Sequence, residues 1–76
     1  MTTENTRKIN PKKLRLSKWT AVHPVNKEKH FLVTDIQFDE EGEVIECLLE
    51  AVFTKRIQSI DWQILRNTEV WQQGWQ

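Results

Sequence analysis

A single cysteine, Cys47, leaves the chain without a disulfide partner of its own. Two glycines, Gly42 and Gly74, are too few for a phosphate-cradling loop. His23, His30 and Cys47 show neither Cys-x-x-Cys nor His-x-x-x-His spacing, so the pattern of a zinc site is missing. Net charge is zero, from 11 basic and 11 acidic residues, which removes global attraction to a polyanion. No apolar run approaches the roughly 20 residues that span a bilayer. None of about 7–15 residues follows the first basic cluster, as it would in a secretory signal. These absences predict a cytoplasmic chain with no metal, no cofactor and no membrane segment, and a lone thiol fits a reducing compartment.

What is present is aromatic. Four Trp, three Phe and no Tyr stand in 76 residues. A domain this small buries only about 60% of its unfolded surface and is marginally stable. It needs a staple or unusually good packing, and indoles can supply it, since each removes roughly 150–250 Å² from water. Trp19, Trp62, Phe31, Phe38 and Phe53 are the expected core aromatics. Charge is segregated along the chain. Arg7, Lys8, Lys12, Lys13, Arg15 and Lys18 cluster early, while the charged residues of 35–50 are all acids.

Met1–Asn10 is polar and aperiodic, and reads as a disordered arm before a single domain over 11–76. A strand is expected near Leu16–Val22, with Leu14, Leu16 and Lys18 on one side and Trp19 on the other. His23–Lys29 reads as a loop, because Pro24 lacks a donor and Asn26 suits a turn. His30–Phe38 is the clearest strand, and its more apolar set, Leu32, Thr34, Ile36 and Phe38, is expected to face the core. Asp39-Glu40-Glu41-Gly42 is a hairpin signal. Glu43–Phe53 fits both periods. Period two puts Ile45, Cys47, Leu49, Ala51 and Phe53 on one face, while the helical period makes an acidic stripe. A last strand near Arg56–Trp62 and a turn of helix over Trp62–Arg66, capped by Asp61, follow. A further helical turn fits Thr68–Trp71. The whole reads as mainly β: a curled antiparallel meander or SH3-like barrel of four to five strands with one or two short C-terminal helical turns. The alternative is α+β with a helix near 44–58.

Several segments resemble a family of small tryptophan-rich conserved bacterial proteins of unknown function. They are Asn10-Pro11-Lys12-Lys13-Leu14, Ser17–Val22 with His23-Pro24, Lys29-His30-Phe31, Glu50-Ala51-Val52, Thr54-Lys55-Arg56, Ile60-Asp61-Trp62, Trp71 and Gly74-Trp75. The resemblance implies a bacterial, cytoplasmic protein and carries no activity, ligand or site.

Catalysis lacks a pattern. Cys47, His30 and Asp35 are suitable residue types, but no spacing brings them together, and Cys47 falls on an apolar strand face. The chain therefore reads as a non-enzymatic binding or adaptor module. Its expected surface combines Trp71 and Trp75 with Lys12, Lys13 and Arg56, presented to a protein partner. The alternative is a small barrel that stacks and neutralises single-stranded nucleic acid. A monomer or weak dimer is expected.

Overall fold

A computed structural model of the chain describes residues 6–76. Five strands form one antiparallel sheet: β1 (Lys18–Val25), β2 (Glu28–Phe38), β3 (Val44–Ala51), β4 (Ile57–Ser59) and β5 (Trp71–Gln73). The spatial order is β4-β3-β2-β1-β5. The first four strands make a meander, and β5 returns to lie beside β1. The sheet stays open, with β4 and β5 as its two edges, so the barrel expectation does not hold. The helix alternative over 44–58 is also replaced, because that stretch holds β3 and most of β4. Two 3-10 turns, Pro11–Lys13 and Trp62–Arg66, complete the described elements.

Local chemistry explains the turns. Asn26 and Lys27 both take positive φ, 55° and 63°, and link the paired residues Val25 and Glu28 in a two-residue hairpin. β1 therefore runs on through His23 and Pro24, which the sequence places in a loop. Pro24 is tolerated because the β1–β2 ladder is irregular between Thr20 and Val25. At the second hairpin, Asp39 Oδ1 accepts from the Glu41 and Glu43 amides, and Gly42 sits at φ 85°. The β3–β4 turn is closed by the Lys55 amide donating to the Ala51 carbonyl at 2.8 Å. Phe53 lies within that turn and is 70% exposed, so its expected core role is overturned.

Two bulges decide which residues face inward. On β2–β3, Val33 pairs with Leu49 and Asp35 with Leu48, which leaves Thr34 as an extra residue on β2. The alternation therefore flips. Phe31 and Val33 share the buried face with Ile36, and Leu32 points the other way, against expectation. Farther along, Gln37 pairs with Glu46 and Phe38 with Val44, so Ile45 is the extra residue on β3 and is exposed. Phe38 and Val44 pack against the core.

One face of the sheet is buried. Trp19, Phe31, Val33, Ile36, Cys47, Leu49, Ala51 and Trp71 form it, and Leu14 and Leu65 cover it from the segments around the two 3-10 turns. Trp62 and Ile9 pack against this cluster. Leu16 is 62% exposed rather than following Leu14 inward, because its own φ of 66° breaks the alternation. The second 3-10 turn is capped as expected, with Asp61 accepting from the Gln63 amide. Thr68–Trp71 does not continue helically. The Val70 and Trp71 amides both donate to the Asn67 carbonyl, and the chain turns into β5.

The expected disordered arm divides in two. Residues 1–5 lie outside the described residues. Thr6 bridges to Asn67, and the Arg7 amide donates to the Arg66 carbonyl at 2.8 Å, so 6–10 dock on the domain.

The core assignment makes a paired prediction. Trp19→Ala removes the largest fully buried side chain and should cost about 3–5 kcal/mol. That is most of the stability of a small domain. Phe53→Ala should stay within about 0.5 kcal/mol of the parent. Denaturant unfolding of both variants checks this.

Candidate functional site

Cross-strand partners in a sheet share a face, and register alone therefore assembles the uncovered side. Lys18 pairs with Leu32, Leu32 with Glu50, and Glu50 with Ile57, making one row across β1, β2, β3 and β4. A second row joins Gln72, Thr20 and His30. A third joins Asp35, Leu48 and Ser59, and a fourth pairs Gln37 with Glu46. Leu32, Leu48 and Ile57 thus give this face an apolar stripe among charged neighbours.

The C-terminal residues fold onto it. Gly74, at φ 79°, turns the chain after β5, and its amide donates to the Lys18 carbonyl at 2.7 Å. Thr20 Oγ1 donates to the Gly74 carbonyl, and the Gln76 amide donates back to Thr20 Oγ1. The Trp75 indole N–H donates to the Phe31 carbonyl at 3.0 Å. Lys18 Nζ stands 4.8 Å from the centre of the Trp75 ring, and the His30 ring lies 5.9 Å away. His30 Nε2 donates to the main-chain oxygen of Gln76 at 2.9 Å. Trp75 remains 44% exposed. Its polar edge is bonded while nearly half of the residue stays open to solvent, as in an interface anchor.

The residues singled out from sequence do not converge. Trp75 is at the surface, as expected. Trp71 is 8% exposed and stands edge-on to Phe31 with ring centres 5.0 Å apart, so it belongs to the core. It is buried because β5 pairs with β1 and sets Trp71 opposite Ala21. Lys12 and Lys13 are exposed in the segment that leads to Leu14, on the covered side. Arg56 lies at the far strand edge from Trp75, engaged by Glu28. Its Nη2 and Nε donate to the two Glu28 carboxylate oxygens at 2.5 and 3.0 Å, and Thr54 Oγ1 adds a third bond. Sequence reasoning does not find Leu32, Glu50 or Ile57 as a site. The available signal is the mixed alternate face of β3, where Leu48 and Glu50 interleave.

Two clefts open on the covered side. One, of about 570 Å³, lies between Glu43–Glu46 and Ile60–Gln63. The other, of about 510 Å³, is lined by Ile64, Val70 and Trp71. Neither contains a nucleophile beside a base. Cys47 is buried, and burial followed by the nearby Asp61 charge pushes its thiol up to about 11. Among the described residues, no group of three His, Cys, Asp or Glu side chains could hold a metal ion. Among them too, no helix is long and apolar enough to cross a membrane.

The chain belongs to a family of tryptophan-rich proteins. The family model described as Tryptophan-rich protein (DUF2389) matches residues 17–76, which takes in all five strands, the second 3-10 turn and all four indoles. No curated protein and no solved structure matches the chain.

Glu28 is the most perturbed carboxylate. The Arg56 hydrogen bonds, then that of Thr54, hold it at about 2, below its ordinary 4.5. A depressed carboxyl contributes stability above its unfolded pKa and loses it as pH falls toward the folded value. The parent should therefore be more stable than Glu28→Gln at neutral pH, with the gap closing between about pH 4.5 and 2. Denaturant midpoints across that range test this, and a gap independent of pH would contradict it.

Proposed function

We propose that this chain is a non-enzymatic cytoplasmic binding module that engages a protein partner through the open face of its sheet. The observation that carries this reading is Trp75, held rigidly by its N–H on the Phe31 carbonyl and left 44% exposed beside Lys18 and the apolar stripe. Rigid, half-exposed indoles flanked by apolar and charged groups are frequent anchors of protein interfaces. The core-facing side already carries its cover of Leu14 and Leu65.

Single-stranded nucleic acid is the second reading, favoured by the Lys18–Trp75–His30 cluster. Glu50 on the same face opposes it, because it pairs with Leu32 beside Phe31, and phosphates would meet its carboxylate within a strand or two of the indole. Within the early basic cluster, Arg7 donates to the carbonyls of Leu65 and Trp71 and Arg15 pairs with Asp35.

A photo-crosslinking residue at the exposed Ser59, on the open face, should give protein adducts in cells. The same residue at Lys12, on the covered side, should not. The adducts should be lost in a Trp75→Ala background that keeps its circular dichroism. Adducts undiminished by Trp75→Ala would refute the face, and salt-sensitive binding of a single-stranded oligonucleotide would transfer the function to nucleic acid.

A further inference from the structure

We infer that the open face is built to receive a second copy of this chain, in a two-fold dimer centred on Leu32. The inference rests on the reading of that face as the binding surface and names its partner.

The argument is one of symmetry. The row Lys18–Leu32–Glu50–Ile57 crosses the sheet from β1 to β4, with Leu32 on the middle strand. Stacked sheets pack about 10 Å apart with strands roughly aligned. A two-fold axis along β2, between two such faces, lays β1 of one copy over β3 of the other. It lays β4 over β5 in the same way. Leu32 then meets Leu32, Lys18 meets Glu50, and Ile57 comes over the C-terminal strap that holds Trp75. Every contact is reciprocal, as an isologous interface requires.

The chemistry matches each pairing. Leu32 is partly buried in one copy and apolar. Ile57 and Trp75 are exposed apolar groups, 55% and 44%. Lys18 and Glu50 carry opposite charges and stand two strand spacings apart on either side of Leu32, and they form no ion pair with each other. Among the described residues the ion pairs are Arg15–Asp35 and Glu28–Arg56, and neither Lys18 nor Glu50 belongs to one.

Size and shape agree. The molecule measures 40 × 37 × 16 Å, a slab with one sheet and a thin cover on one side. A standard interface takes about 800 Å² per partner, a patch roughly 28 Å on a side. Domains generally bury a sheet face against a second layer, and the missing layer here is supplied by the copy.

The test is charge exchange. The purified parent should dimerise within the micromolar to millimolar range in sedimentation equilibrium. Lys18→Glu and Glu50→Lys should each weaken self-association by about tenfold or more, since each creates two like-charge contacts per dimer. Mixed together, these two variants should form a heterodimer, because the two exchanged charges then face each other with opposite sign, as do the two unaltered ones. Circular dichroism should show both variants folded, and Glu50→Lys, on a partly buried side chain outside the Lys18–Trp75 contact, carries the test should Lys18→Glu disturb the indole. A parent that stays monomeric throughout, or a mixture that associates no better than its components, overturns the inference. Protein adducts from Ser59 in cells alongside a monomeric parent would leave the binding face standing with a different partner. Absence of both removes the face itself.

Discussion

Arg7 sits where the second 3-10 turn and β5 meet over the Trp19 ring. Its guanidinium stands 5.2 Å from the centre of the Trp19 ring, with one nitrogen donating to the Leu65 carbonyl and another to the Trp71 carbonyl. Its own carbonyl accepts from Arg66 Nε, and burial lowers its pKa from the ordinary value. One side chain thus joins the N-terminal segment, the second 3-10 turn and β5 over the most buried indole. Both hydrogen bonds are part-buried, and leaving a buried carbonyl unpaired costs about 1–3 kcal/mol.

That closure is needed because the described residues form no second layer of strands or helices over the sheet. Eleven-residue β2 and its neighbours make a sheet that needs cover on at least one side, and the remaining described residues supply only two short 3-10 turns and the segments that lead to them. Leu14 and Leu65 reach the core from these segments, and the large ring of Trp19 fills the distance between them and the strands. The opposite face keeps its stripe of Leu32, Leu48 and Ile57, partly shielded by the Gly74–Gln76 strap. One-sided cover and an available open face are therefore two results of the same shortage. The edges are short, three residues each in β4 and β5, which limits pairing through the sheet edge and leaves the open face as the larger surface.

Elements governed by local chemistry were legible from residue types. The Asp39–Gly42 hairpin, the Asp61 cap and the β3 face of Cys47, Leu49 and Ala51 each depend on residues near in sequence. Features set by tertiary pairing were not. The bulge at Thr34 reverses the face of β2 without any Gly or Pro to mark it, so the set with Leu32 reads as the core face, while Phe31, expected in the core as an aromatic, is buried on the opposite one. Lys55 and Lys27 take positive φ where glycine would be the usual signal. Phe53 looks like a core aromatic by period two until the turn carries it outward. Trp71 and Trp75 are chemically alike and four residues apart, and only the pairing of β5 with β1 separates an anchor of the core from an anchor at the surface. The candidate site was half legible: Trp75 reads as exposed from the sequence, while the row beside it comes from four strands whose register no local pattern announces.

Amide hydrogen exchange of Arg7→Met tests most directly whether this one guanidinium holds the cover in place. The account predicts that protection at Leu65 and Trp71–Gln73 falls by about 1.5–3 kcal/mol of opening free energy, the range for hydrogen bonds made by a charged group. The central β2–β3 ladder should keep its protection. Exchange at Leu65 and β5 indistinguishable from the parent would contradict the account, and would mean that apolar packing alone keeps the sheet covered.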